Sequence, residues 1–206
     1  LILDKMFSCK MTILGDKAQT MEEDTRDVLS FLPRVFGHGI RRINMNKSYR
    51  NTMEIAAYAN NISDVSDMEL FERHGKPVEE QNFADRIAAL EAVLEKMRLE
   101  EFETAAVIEM TQERAEESAV YLKKRMEELG MDTKNRFSCV DRDSTQFKKG
   151  LTVTTFYLAK GLEFDQVFGI YEKNDNTPLH RQAKYICATR ALHELYMFEI
   201  EEKRYE

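Results

Sequence analysis

Apolar residues recur along this chain with two different periods, and the alternation between those periods outlines the architecture. Within 84–101, Ile87, Leu90, Leu94 and Met97 return at helical spacing. Within 112–129, Ala115, Ala119, Leu122 and Met126 do the same, with Gly130 as a stop signal. Between these helices, 104–110 is a short apolar run rich in β-formers, the mark of a buried strand. The same reading predicts strands at 10–14, 40–45, 136–140, 151–156, 166–171 and 194–200, and a short one near Val78 in the polar stretch 60–82. It predicts helices at 23–32, ended by Pro33, at 52–59 with Met53, Ile55, Ala56 and Ala59 inward, and at 179–188. Residues 1–8 read as the end of a helix, and Gly37-His38-Gly39 as a turn.

Strands and helices that alternate from residue 40 onward predict parallel βαβ units with helices on both sheet faces, an α/β fold. In such sheets ligands collect at the carboxyl ends of strands. The polar motifs of this chain all adjoin strand ends, so one shared site is expected there.

Composition narrows the class. A 43% hydrophobic and 33% charged chain of 206 residues can bury a core. No apolar run approaches the ~20 residues of a membrane span, and the opening Leu-Ile-Leu-Asp-Lys-Met-Phe lacks the pattern of a signal peptide. The chain does not begin with Met, which fits a piece of a longer protein. Cys9, Cys139 and Cys187 have neither disulfide nor zinc spacing, and His38, His74, His180 and His193 form no ligand-spaced pair. A reduced, cytoplasmic protein without a metal is the expectation. The net charge of −7 excludes a general nucleic-acid coat but leaves room for a narrow contact strip. The eleven methionines read as core filler.

The chemistry concentrates in four motifs. Gly15-Asp16-Lys17-Ala18-Gln19 follows an apolar run, and Tyr49-Arg50 stands alone. Ala159-Lys160-Gly161-Leu162-Glu163-Phe164-Asp165 lies between two β-rich runs and reads as a turn between strands. Ala188-Thr189-Arg190-Ala191 precedes His193-Glu194-Leu195-Tyr196. In this order they resemble motifs III, IV, V and VI of superfamily 1 helicases of the UvrD/Rep group. The likeness spans nearly the whole chain and is greatest to the HelD (helicase IV-like) branch. In that branch a Tyr-x-Ala-Lys-Gly-Leu-Glu-Phe-Asp string stands where UvrD-type proteins have His-Ser-Ala-Lys-Gly-Leu-Glu-Phe. Tyr157 and Leu158 occupy the His and Ser positions here.

The resemblance implies a RecA-like three-layer α/β/α domain with a mainly parallel sheet. This is the second motor domain (2A) of a P-loop NTPase motor, at 23–206, preceded at 1–22 by the tail of the first (1A). The segment between Tyr49 and Lys160 has no room for the large inserted subdomain (2B) of UvrD-type helicases. By the same resemblance Arg50 and Arg190 reach the γ-phosphate of ATP, where an always-charged forked donor suits the transition state. Gln19 senses that phosphate, with Asp16 as its neighbour. Tyr49 stacks on adenine, and Glu163 meets the ribose where Gly161 permits close approach. Thr155 and Tyr157 face single-stranded DNA. Lys160 is a phosphate or a structural lysine.

Two departures qualify the likeness. The chain has no Trp, so motif III lacks the tryptophan that stacks on a base in UvrD-type proteins. It also has no Gly-x-x-x-x-Gly-Lys-[Ser/Thr] loop and no Asp-Glu pair ahead of Gly15. ATP with Mg2+ is therefore expected to bind jointly with an N-terminal motor domain, and this chain alone to be inactive. The implied partners are that domain, single-stranded DNA and, in the alternative reading of a HelD-like ATPase factor, RNA polymerase.

Overall fold

Helices and strands alternate along the computed structural model, which describes residues 6, 10–15, 28–37, 39–45, 47–63, 69–99, 102–141, 148–173 and 177–201. In chain order the elements are α1 (Val28–Phe36), β1 (Lys47–Ser48), α2 (Met53–Ser63), β2 (Glu69–Leu70), β3 (Glu79–Phe83), α3 (Arg86–Leu99), β4 (Thr104–Glu109), α4 (Gln112–Glu128), α5 (Thr133–Arg136), β5 (Phe137–Cys139), β6 (Gly150–Thr155), β7 (Phe164–Glu172), α6 (Pro178–Arg190) and β8 (Ala191–Ile200). Strands β3 to β8 form one sheet in the order β3-β8-β7-β4-β6-β5, with every neighbouring pair parallel. Strands β1 and β2 form a separate parallel ladder.

The period of two along the central strands sorts their side chains into two cores. Ala105, Val107, Phe168, Ile170, Tyr196 and Phe198 pack against Ala89, Leu90, Val93 and Leu94 of α3 and against Ala115, Ala119, Leu122 and Met126 of α4. Ala106, Ile108, Val167, Leu195 and Met197 pack against Ile55 and Ala59 of α2 and against Ala183, Ile186 and Cys187 of α6. The result is the expected three-layer α/β/α arrangement with an all-parallel sheet. Among the described residues no helix is long and apolar enough to cross a membrane.

Several elements differ from expectation. Residues 10–14 and 40–45 are irregular, with Leu14, Ile43 and Met45 exposed. A strand exists only where a neighbour completes its ladder, and none of the described residues pairs with these segments. The helix expected to end at Pro33 runs through it to Phe36, at the cost of the one hydrogen bond that position 33 cannot donate. Helix α3 is turned relative to its expected face: Ile87 is exposed while Ala89 and Val93 are buried. Its apolar residues cover more than half its circumference, so periodicity allows several faces; Leu90 and Leu94 are buried as expected and Met97 packs against the core.

The link at 156–163 is the main correction. It is not a turn between adjacent strands, because β6 and β7 are parallel and both flank β4. The chain must return the length of the sheet across β4. It does so as a compact crossover, with Phe156 N–H donating to Glu109 O at 3.2 Å, Ala159 N–H to Thr155 O at 2.8 Å and Leu162 N–H to Ala159 O at 3.0 Å. Phe156 and Ala159 cover Ala106 and Ile108.

Strand β6 starts at a glycine for a steric reason. Gly150 has φ 107°, and a Cβ there would lie 2.2 Å from the Arg136 carbonyl oxygen. Gly150→Ala is expected to lower stability by roughly 3 kcal/mol, combining left-handed strain with overpacking. A urea unfolding midpoint unchanged by this substitution would contradict the close approach.

Candidate functional site

Three segments far apart in the chain meet at the amino ends of β7 and β8. Tyr49 and Arg50 follow β1, Gly161 and Glu163 end the crossover just ahead of β7, and Arg190 is the last residue of α6, just ahead of β8. Arg50 Nε lies 2.9 Å from Glu163 Oε1. Arg190 donates from Nη1 to the Leu162 carbonyl and from Nη2 to Thr189 Oγ1, both at 3.2 Å. Asn51 joins the first segment to the third: its Nδ2 donates to the Ala191 carbonyl at 2.6 Å, across 140 residues of sequence. Its Oδ1 accepts from the Ser48 hydroxyl at 3.2 Å.

The two arginines differ in setting. Arg190 is 3% exposed and held by a carbonyl and a hydroxyl, so its guanidinium is fixed in place before any ligand arrives. Arg50 and Glu163 are 48% and 41% exposed along their side chains. A pair so exposed contributes under about 1 kcal/mol, and either partner can exchange the other for a ligand group. Tyr49, 64% exposed, is not a core tyrosine.

The ground beneath the cluster is polar and tightly bonded. Glu194 is buried on β8 and takes Lys76 Nζ at 2.6 Å, Gln166 Nε2 at 2.7 Å and the Tyr196 hydroxyl at 2.8 Å. Burial alone would raise its pKa, but these bonds hold the carboxyl below its ordinary value. Arg73 Nη2 donates to the Leu192 carbonyl at 2.6 Å. Burial pushes the Cys187 thiol up to about 12, which makes it a packing residue of α6 rather than a nucleophile.

The other expected site residues lie elsewhere. Thr155 ends β6 at the opposite, carboxyl end of the sheet. It is 4% exposed, and its hydroxyl accepts from Leu158 N–H at 3.5 Å. Tyr157 stands beside it, half-exposed against Phe156 with ring centroids 3.8 Å apart. The motifs therefore do not share the carboxyl ends: the crossover carries Gly161 and Glu163 back to the amino ends. Gly161 has φ 92°, and a Cβ there would meet nothing, so backbone conformation is the reason for the glycine within the chain. Lys160 is exposed on the crossover. Gln19 and Asp16 lie outside the described residues.

Sequence reasoning missed Asn51 and Phe71. Asn51 directly follows Tyr49-Arg50, and its place just ahead of the helix expected at 52–59 was the signal available in the sequence; in the structure it is buried. Phe71 is an aromatic in a polar, irregular stretch, and its ring lies 5.4 Å from that of Tyr49.

No family model matches the chain, and no curated protein matches it. Among solved structures the chain is similar to the C-terminal domain of a possible DNA helicase from Lactobacillus plantarum WCFS1. The two are 23% identical with a TM-score of 0.57, over 74% of this chain and 88% of that one. The likeness is one of fold, and the RecA-like α/β architecture described above is the fold the two chains share.

Proposed function

We propose that this chain is the second motor domain of an ATP-dependent DNA helicase or translocase of superfamily 1, of UvrD/Rep and HelD-like type, forming one wall of an ATP cleft. The observation that carries this reading is the convergence of Tyr49, Arg50, Glu163 and Arg190 from three distant segments onto one sheet end. An exposed aromatic, a carboxylate and two arginines are the group types that suit the base, ribose and phosphates of a nucleoside triphosphate.

Each residue has a physical task. Arg190, held rigid, places permanent charge where negative charge redistributes as the γ-phosphoryl leaves. Arg50 exchanges Glu163 for phosphate oxygen, and the freed carboxylate accepts from ribose hydroxyls. Contacts made from this side close the cleft only while the triphosphate is intact, which links hydrolysis to domain movement. The cluster suits a polyphosphate and not Mg2+, because two arginines, Arg50 and Arg190, stand beside Glu163, and the buried Glu194 is held by Lys76. The metal and the phosphate loop fall to an N-terminal motor domain. Tyr157, at the other sheet end, offers an aromatic face to single-stranded DNA.

Arg50→Ala tests the reading. In the intact protein it is expected to lower DNA-stimulated ATPase about 100-fold, while unfolding stability stays within about 1 kcal/mol of wild type. An unchanged rate would remove the proposal.

A further inference from the structure

We propose that Phe71 forms, with Tyr49, a two-ring platform of tilted rings, one of whose exposed faces stacks on the base of a nucleoside triphosphate. This rests on the nucleotide reading above and adds to it a residue and a specificity. The short β1–β2 ladder pairs Lys47 with Glu69 and Ser48 with Leu70. Continued by one position, the same register sets Phe71 opposite Tyr49, and the rings lie 5.4 Å apart at 45°.

Both rings remain exposed, at 64% for Tyr49 and 43% for Phe71. A single exposed aromatic needs no explanation. Two side by side on a dedicated ladder, beside an exchangeable arginine–carboxylate pair, form a surface with apolar faces and a charged border. The backbone around Phe71 is anchored rather than loose: Arg73 N–H donates to Phe71 O at 2.7 Å, and Met53 N–H to Arg73 O at 2.8 Å. Arg73 is itself tied to β8 through the Leu192 carbonyl. The platform is thus fixed to the frame that carries Arg190. Stacking reads a π-face and not a hydrogen-bonding edge, so the platform takes adenine and guanine nucleotides alike.

The test separates the platform from the reading beneath it. In the intact protein, Phe71→Ala is expected to raise KM for ATP about tenfold with kcat within about twofold, the size of one base-stacking contact. Phe71→Leu, which refills the volume without a π-face, shows the same loss, and Phe71→Trp restores wild-type KM. With GTP in place of ATP the three variants shift KM in the same way. Unchanged KM in Phe71→Ala and Phe71→Leu overturns the platform, while an impaired Arg50→Ala leaves the nucleotide reading standing. If Arg50→Ala is also without effect, the nucleotide reading fails and the platform with it.

Discussion

On the proposed reading as an ATP-driven motor domain, Arg190→Ala is expected to reduce DNA-stimulated ATPase of the intact protein about 10³-fold, the low end of what an arginine acting on a transferring phosphoryl group supplies. The argument rests on position as much as on charge. Arg190 sits where α6 passes into β8, and its guanidinium contacts the carbonyl of Leu162, one residue from the carboxylate that pairs with Arg50. It is buried, so solvent does not dilute its field. Because it is buried, the substitution also carries a structural cost. Two hydrogen bonds from a charged donor are lost, worth about 1.5–3 kcal/mol each. The measurement must therefore be kcat per folded molecule, with the folded fraction taken from urea unfolding of the same variant. Arg190→Lys keeps the charge but not the fork, and is expected to recover stability more than rate. If the rate per folded molecule were unchanged in Arg190→Ala, the residue would be structural and the proposed role would fall.

The sheet and its helices could be read from the chain because period and burial agree there. Ala105 to Ile108 alternate between two cores, and Ala115, Ala119, Leu122 and Met126 face one of them as their spacing implies. Residues 10–14 and 40–45 carry the same local signal without a partner strand, and local signal alone does not make a ladder. The residues of the candidate site stood out as motifs, but their place in the fold did not. Nothing local in 156–163 says that β4 lies between the strands it joins, so the return to the amino ends was invisible. Asn51 and Phe71 matter through Ala191 and Tyr49, contacts that only tertiary structure creates.

The carboxyl end of β4 and β7, where a ligand was expected, is closed by the protein's own charges, and Arg86→Ala there is expected to cost about 3–5 kcal/mol. Glu109 is buried at the end of β4 and takes Arg86 Nη1 at 2.6 Å and the Ser118 hydroxyl at 2.5 Å. Arg86 Nη2 meets Glu172 of β7 at 2.5 Å, and Arg114 Nε approaches the same carboxylate at 3.4 Å. Removing Arg86 leaves Glu109 desolvated without its counter-charge, the circumstance in which a buried ion pair matters most. For a chain of this size that loss is about 10 °C in unfolding midpoint. The pH dependence has a definite sign. Burial raises the Glu109 pKa above its ordinary 4.5, against the opposing pull of the Arg86 charge and the Ser118 and Arg86 hydrogen bonds. A carboxyl raised in the folded state binds its proton more tightly there than in the unfolded chain, so stability falls as pH rises above 4.5. Without Arg86 the folded pKa rises further and the decline extends to higher pH. The Arg86→Ala variant is thus expected to be closer to wild type at pH 5 than at pH 7. Adding Glu109→Gln, which removes the charge but can keep the Ser118 bond, is expected to restore most of the loss at pH 7. Urea unfolding at the two pH values measures all of this. A small, pH-independent loss in Arg86→Ala would mean that water reaches Glu109 and that the carboxyl end is open after all.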